Sequence, residues 1–359
     1  MIELRVGGQV LEGWSRVSVS RKADALAGSF SFSFGETQPD DPVARVIQRG
    51  QTAGVYLEDE IVLEGVIGEL STRYDGRSAS VTAAGRDIAG DLVDSSAIAE
   101  PGEWNGARLE TIAAQLLSAF SGISYRADLA DPAAGTVSTF SLNTGETVFS
   151  ALDRLARLRG LVLNSDGAGG VYMRRPGSTR APVAISRAAT ILEAELRDSD
   201  SGRFSKYIAH GQAAGLEGWD AGGSPGQSLR AEAEDPGVGR DRPLVIVAGA
   251  GANVAEREAR VAFEATSRAG KSRRVSYTLP GWTLEGHRWE PGERVPVYDP
   301  ALGIGTSTGS PVDLVLVGVR FSASSGQGAR ASLELMPPGA FTLEPVPEPK
   351  TEGPSLWDL

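Results

Sequence analysis

The chain has 359 residues, a formal net charge of −11 and no cysteine. Its length predicts more than one domain, and the lack of cysteine excludes disulfides, thiolate metal ligands and cysteine nucleophiles. The acidic balance argues against a protein that holds nucleic acid, because phosphate binding requires clustered cations.

No targeting or membrane segment is expected. The N-terminus lacks the basic and apolar stretches of a secretory signal. The longest charge-free apolar stretch, at 243–255, is shorter than the roughly 18 residues that a membrane helix needs. We therefore expect no stable membrane insertion.

Residues 1–95 are predicted to form a first antiparallel β-barrel domain. Phe30, Phe32 and Phe34 alternate with serines, which places three rings on one face of a strand. Two strand-like stretches, 61–74 and 78–83, flank Asp75-Gly76, a strong hairpin signal. Strands with one apolar and one polar face build a closed barrel or a sandwich.

Residues 96–184 are predicted to form an α+β domain with two helices and a hairpin. Asn105 is placed to cap a helix over 106–120, whose apolar residues recur at helical spacing. A second helix is expected from near Thr144 to Gly160. Short apolar strands on either side of the Gly- and Asp-rich stretch 166–170 then predict the hairpin.

Residues 185–336 are predicted to form a second β-barrel domain. It contains a long loop at 213–239, rich in glycine, proline and acidic residues, a buried strand at 244–247 and a helix at 254–269. The helix is expected to start at Asn253, to end at Gly270 and to carry four residues on one side: Ala259, Ala262, Phe263 and Thr266. The two barrels can exchange strands across these boundaries.

The last stretch, 337–359, is a proline-rich C-terminal arm with six prolines. Proline-rich segments are extended and stiff, so they reach far at little entropic cost. We predict that Leu356, Trp357 and Leu359 anchor this arm on a partner surface.

Two glycine-containing stretches imitate nucleotide-binding motifs without completing them. A dinucleotide site would need a third glycine after Gly249 and Gly251, but Val254 occupies that position. Gly270-Lys271-Ser272 resembles the end of a phosphate loop, yet it follows a helix and Ala265 replaces the required earlier glycine. We predict no cofactor.

Catalytic and metal sites are not expected either. The two histidines, His210 and His287, have no ligand-like spacing to another histidine or carboxylate. Asp87 and Asp91 could be taken for metal ligands, but a turn with Arg86 paired locally is the favoured interpretation. No nucleophile elbow is present, so the sequence predicts a protein that is not an enzyme.

Several stretches, in their order along the chain, carry a resemblance to the baseplate hub proteins of Mu-like contractile-tailed phages. They are residues 28–34 with 84–97, residues 144–156 with 159–161, and residues 273–274, 280–282, 289–292, 295–299, 333–338 and 340–341. The resemblance runs from about residue 1 to about residue 345, with weak coverage over 213–239.

That resemblance implies a fold, an assembly and a location. The fold is α+β, mainly β, with two small tail-tube-like antiparallel barrels and α+β elements between them. Three copies would form a ring that joins the sixfold tail tube to the threefold central spike in the virion baseplate, after assembly in the host cytoplasm. The resemblance supplies no catalytic residues.

The implied partners are the spike, the tail tube or its initiator, the baseplate wedge proteins and the tape-measure protein, with DNA only as passing cargo. The acidic residues would line the ring's lumen and keep DNA from sticking. Two alternatives stay open. One is the hub of a phage-derived injection device such as a tailocin, a gene-transfer particle or a secretion apparatus. The other is a β-rich cell-wall or glycan hydrolase.

Overall fold

The computed structural model describes residues 1–36, 47–75, 79–127, 135–186, 191–210, 230–247, 254–306 and 308–342. Within these ranges strands predominate and helices are confined to the middle of the chain and to the stretch before its last strands. The predicted α+β, mainly β class is confirmed. No helix in these ranges is long and apolar enough to cross a bilayer.

The N-terminal segment consists of antiparallel strands. They are β1 (Ile2–Val6), β2 (Gln9–Leu11), β3 (Trp14–Lys22), β4 (Ser29–Glu36), β5 (Thr52–Leu57), β6 (Glu60–Tyr74) and β7 (Ala79–Asp87). Phe30, Phe32 and Phe34 are all buried on one face of β4, as the alternation predicts. The β6–β7 pairing confirms the predicted hairpin; residues 76–78 of its turn lie outside the described ranges.

A middle module follows, defined here as residues 90–174. Its elements are α1 (Gly90–Asp94), β8 (Glu103–Arg108), α2 (Leu109–Leu117), β9 (Ser124–Ala127), β10 (Thr136–Ser141), α3 (Val148–Arg157), β11 (Val162–Ser165) and β12 (Gly170–Arg174). The predicted hairpin is β11–β12, and Asp166 Oδ1 holds its turn by accepting from the backbone N–H of Ala168 at 2.7 Å. The helices and strands share an apolar core of their own.

Both predicted helix starts in this module were wrong by a few residues. Asn105 does not cap a helix but pairs with Thr139 in the β8–β10 ladder, so α2 begins only after Arg108. The second helix begins after Thr147 and not near Thr144. The Thr147 hydroxyl accepts from the backbone N–H of Ser150 at 3.2 Å, which satisfies one of the free donors of the first turn.

The next segment contributes strands to two sheets. It contains β13 (Ile185–Ser186), β14 (Glu193–Asp198), β15 (Lys206–His210), β16 (Arg230–Glu234), β17 (Pro243–Val247) and α4 (Val254–Lys271). β15 lies between antiparallel β16 and parallel β17. These three strands and α4 form a side module.

Two predictions in the side module need correction. Residues 230–234, expected within the loop 213–239, form β16; residues 211–229 lie outside the described ranges. The strand expected at 244–247 exists as β17 but is not buried on both faces, since Val245 and Val247 are 58% and 66% exposed. The alternate residues Leu244 and Ile246 pack in the core of the side module, so only one face of β17 is covered.

Helix α4 buries a face different from the predicted one. Its buried residues are Arg257, Val261, Glu264, Ser267 and Gly270, whereas the four residues expected on the packed side are exposed or half-buried. Gly270 does not end the helix. A Cβ there would lie 2.0 Å from the backbone nitrogen of Ala340, so Gly270 is the point of closest approach between α4 and the C-terminal stretch.

The last strands complete the large sheet. They are β18 (Arg273–Pro280), β19 (Thr283–Leu284), β20 (His287–Arg288), β21 (Arg294–Tyr298), β22 (Val312–Ser324) and β23 (Gly328–Met336), with 3-10 helices at Pro300–Leu302 and Pro338–Phe341. The order of the main sheet is β14-β18-β23-β22-β3-β4-β7-β6-β5-β1-β2, with β13 and β21 joined beside β22.

The two ends of the chain meet inside this sheet. β22 pairs with β3 from Gly318–Lys22 to Ser324–Arg16, so the strands of the two predicted barrels belong to one hydrogen-bonded sheet. Their inward-facing side chains form one core that contains Phe32 and Phe321. The domain limits at residues 95, 184 and 336 stay a prediction.

Candidate assembly surfaces

The two histidines lie in different sheets of the structure. His287 Nε2 lies 3.1 Å from both carboxylate oxygens of Glu293, and its ring meets the buried Trp289 edge-on. His210 lies at the end of β15. No group of three or more histidine or carboxylate side chains that could hold a metal occurs within the described part of the chain.

Asp87 and Asp91 do not form a site together. Asp87 is buried at the end of β7 and accepts from the backbone N–H of Gly28 at 2.9 Å, whereas Asp91 lies in α1. Burial raises the pKa of Asp87, and the bond from Gly28 opposes that effect only in part. Arg86 pairs with Asp94, the local ion pair that the sequence suggested for this turn.

A seam of buried polar contacts fixes the middle module on the main sheet. Arg21 Nη2 donates to the carbonyl oxygen of Ser165 at 2.8 Å, and Asn164 Nδ2 donates to that of Ala23 at 2.9 Å. Arg21 and Asn164 are 4% and 2% exposed. Buried donors of this kind are costly to leave unpaired, so the seam specifies one orientation of the module on the sheet.

The outer face of the main sheet carries mainly hydroxyl side chains. Four adjacent strands place twelve outward side chains in three rows across the sheet. The rows are Arg320–Ser20–Ser29–Arg86, Ser322–Ser18–Ser31–Ala84 and Ser324–Arg16–Ser33–Thr82. Eight of these positions carry a hydroxyl, and we call the surface the hydroxyl face.

The hydroxyl face is open and lacks acidic side chains. All twelve residues are half-buried or exposed, although the side chains on the other side of the same strands form the main core. Arg86 is paired with Asp94. Arg16 and Arg320 form no ion pair with any residue that the structure describes. An uncovered face of small hydroxyls with scattered cations is weakly attractive to phosphate oxygens without offering apolar contact.

A groove lies where the main sheet, the middle module, α4 and the C-terminal 3-10 helix converge. Its volume is about 570 Å³. Phe149 of α3, Phe263 of α4 and Phe341 of the 3-10 helix line it, and each ring is half-buried. Lys22 and Lys271 lie exposed at its rim. The groove therefore combines apolar and cationic surface, as a docking site for an acidic segment with an apolar anchor would.

The predicted partner-binding residues, Leu356, Trp357 and Leu359, lie outside the described residues, whose last range ends at Thr342.

Neither the hydroxyl face nor the groove was predicted from the sequence, for different reasons. The serines opposite the phenylalanines of β4 were visible at period two and could have revealed the hydroxyl face. The groove unites residues far apart in sequence, so no local pattern marks it.

Two family models match the first half of the chain. Residues 1–87 match the N-terminal domain described as Mu phage baseplate assembly protein GpP-like. Residues 89–175 match the second domain described as baseplate hub protein gp44-like. The junction between the two matches coincides with the end of β7 and the start of the middle module.

A curated relative and solved structures extend the similarity along the whole chain. The baseplate hub protein gp44 of Escherichia phage Mu is 29% identical over 349 residues, which are 96% of this chain and 89% of that protein. The 43 kDa tail protein of prophage MuSo2 from Shewanella oneidensis is 28% identical with a TM-score of 0.79, covering 94% of this chain and 98% of its own. A tail protein from Neisseria meningitidis MC58 shares the fold, with a TM-score of 0.75 at 24% identity, covering 96% of this chain and 99% of its own.

Proposed function

We propose that this chain, which is similar to the Mu-like baseplate hub proteins of phage tails over almost its whole length, works as a trimeric ring that joins the sixfold tail tube to the threefold central spike and passes DNA during infection. The coarser role follows from that similarity: the chain is a structural protein of the virion tail baseplate and not an enzyme. The trimeric ring, its connection to the spike and the passage of DNA through it are what we propose.

The geometry of the main sheet supports a ring. Each chain would supply two barrel-like units, one from the N-terminal strands and one from the C-terminal strands, which are already joined through β3 and β22. Three chains would then present six similar units to a sixfold tube, while the ring keeps threefold symmetry towards a trimeric spike. Closed cyclic assemblies need such matching at each junction.

The hydroxyl face is the observation that carries the proposed channel. A wall along which DNA slides must exclude apolar contacts and must not hold phosphates strongly, because each firm cation–phosphate contact adds to adhesion. Serine hydroxyls with two widely spaced unpaired arginines, Arg16 and Arg320, meet both conditions. None of the twelve residues of the face is acidic, whereas the acidic lumen expected from net charge stays a prediction.

The ring is tested by the mass of the purified chain in solution and by its binding to purified spike and tube proteins. Light scattering should give a trimer, alone or once spike protein is added, since isolated copies can await their partner. A chain that stays monomeric with both partners present would contradict the ring. Truncation after residue 345 should weaken incorporation or spike docking if the arm binds a partner through Leu356, Trp357 and Leu359.

The channel is tested by a thiol placed on the hydroxyl face, which is simple in a chain without cysteine. Particles that carry Ser31→Cys should adsorb normally but eject DNA more slowly after a bulky maleimide is attached. Ser118→Cys, at the exposed end of α2, is the matched control. Equal ejection by both labelled particles would exclude this face as the channel wall.

A further inference from the structure

We infer that the groove between the main sheet, the middle module and α4 is the receptor for the C-terminal arm of a neighbouring copy, with Trp357 as the anchor. This inference rests on the proposed ring and names the partner of the arm. It would make each subunit donate its last residues to the next and receive those of another.

The groove offers what an aromatic anchor needs. Phe149, Phe263 and Phe341 come from three different elements and leave part of each ring accessible around a space of about 570 Å³. The buried side chains of Val317 and Met336 form the floor. A tryptophan buries about 200 Å² of surface, and anchors of this kind in a surrounded pocket dominate interface energies.

The charges of the groove and the arm are complementary. Residues 343–359 carry four carboxylate side chains and one lysine. In the groove, Arg157 is paired with Asp153 at 2.7 Å and Arg274 with Glu334 at 2.9 Å. Of the remaining charged lining residues, Lys22, Lys271 and Asp24 have no ion-pair partner within the described residues, so the two lysines outnumber the one carboxylate and leave the unpaired part of the lining cationic.

The position at which the described chain ends argues for a neighbour and against the chain's own groove. Thr342 lines the groove, so the arm leaves from its edge. Prolines at 345, 347 and 349 favour an extended course, and at roughly 3.1 Å per residue the arm would be about 34 Å away when it reaches Gly353. From Gly353 to Trp357 the chain spans at most about 14 Å. An arm with this extended course would carry Trp357 away from its own groove, which favours a groove on an adjacent copy as the receptor.

Cysteine crosslinking between two different variants tests this directly, because the native chain has no cysteine. One variant carries Ser355→Cys beside the anchor, and the other, with a size tag, carries Asp24→Cys at the exposed groove rim. On oxidation, the mixture should form a disulfide between tagged and untagged chains. Ser118→Cys in place of Asp24→Cys is the control, since Ser118 is exposed but does not line the groove.

Two further variants show whether the proposed contacts produce the crosslink. Trp357→Ala should reduce its yield at least tenfold, and Lys22→Glu combined with Lys271→Glu should reduce it several-fold; both lysines are exposed, so their replacement leaves the core unchanged. Yields equal to the Ser118 control would overturn the inference. So would a single chain with both Ser355→Cys and Asp24→Cys that closes only an internal disulfide, because the arm would then occupy its own groove.

The crosslinking experiment and the light-scattering experiment can contradict the two proposals independently. A trimer with no tagged-to-untagged disulfide contradicts the arm exchange and leaves the ring intact. A specific disulfide in an assembly that light scattering shows to be a dimer contradicts the trimeric ring and leaves the arm exchange intact.

Discussion

The main sheet and the side module are stabilised by different means. The main sheet buries aromatic and branched residues of both chain ends in one extensive core. The side module has a small core with Tyr207 and Val261 and depends on charged contacts instead. Arg203 and Asp235 form a bidentate ion pair, with Nη2–Oδ1 at 2.6 Å and Nε–Oδ2 at 2.9 Å. Glu264 on α4 forms ion pairs with both Arg260 and Arg268.

This contrast indicates a division of labour. An apolar core that joins distant strands resists local opening, whereas a module with few buried apolar contacts opens at lower free-energy cost. The hydroxyl face is on the rigid part, and α4, which forms one wall of the groove, is on the adaptable part. The proposed channel wall and the proposed receptor groove would have these different mechanical requirements.

The largest effect on stability is expected when a large side chain of the main core is replaced by alanine. Phe32 is fully buried between Phe30 and Phe34, so Phe32→Ala should lower the free energy of unfolding by about 3–5 kcal/mol. Urea denaturation measures the change. Leu192→Ala, at a site 48% exposed, is the control and should change stability by less than about 0.5 kcal/mol. Similar losses for both would show that the core is not the main source of stability.

A smaller and local effect is expected in the side module. Asp235→Ala leaves the largely buried Arg203 without its carboxylate, which costs about 1–3 kcal/mol. Hydrogen exchange should speed up in β15, β16 and β17 while protection of β3 and β22 stays unchanged. Glu195→Ala breaks an exposed pair with Arg197 and should have no such effect. Equal acceleration in the main sheet would contradict two separable regions.

The smallest effect is a difference in pH dependence between the two regions. Burial raises the pKa of Asp87 in the main sheet above its ordinary 3.8, so the native chain takes up this proton before the unfolded chain does. The Arg203 guanidinium lowers the pKa of Asp235, so its stabilising contribution is lost as pH falls below 3.8 through the lowered value. The two carboxyls therefore act in adjacent pH windows with opposite signs.

Matched amide variants measure these signs. As pH falls from neutral towards 3.8, the native chain should gain stability relative to Asp87→Asn, because only the native carboxyl can take up the proton. Below 3.8 the native chain should lose its advantage over Asp235→Asn. Urea denaturation at a series of pH values gives both differences, and curves of the same sign would contradict the assignment.

Local patterns predicted the elements whose burial repeats regularly. The alternation at Phe30, Phe32 and Phe34 revealed a one-sided strand because every second residue faces the core. β16 was missed because its sequence, Arg-Ala-Glu-Ala-Glu, has the composition of a loop; its register with β15, not strand propensity, makes it a strand. The start of α2 was misplaced because asparagine is a favourable helix cap, but Asn105 pairs with Thr139 in the β8–β10 ladder instead.

Contacts between distant segments were beyond such patterns. A glycine after a helical pattern normally indicates the end of a helix. Only the structure shows that Gly270 lacks a side chain because the backbone of Ala340 lies against it. The buried face of α4 contains Arg257 and Glu264, which periodicity of apolar residues cannot detect. The fold class was therefore predictable, whereas the hydroxyl face as a continuous surface and the groove depend on the pairing of β3 with β22 and on the packing of α4.

The pairing of β3 with β22 also has a consequence for synthesis on the ribosome. β3 emerges long before β22, the strand that pairs with one of its edges. Until then, the N-terminal sheet ends in an unpaired edge, which is a hazard for aggregation and for mispairing between nascent chains. A chain truncated before β22 would therefore lack the strand that closes this edge of the sheet.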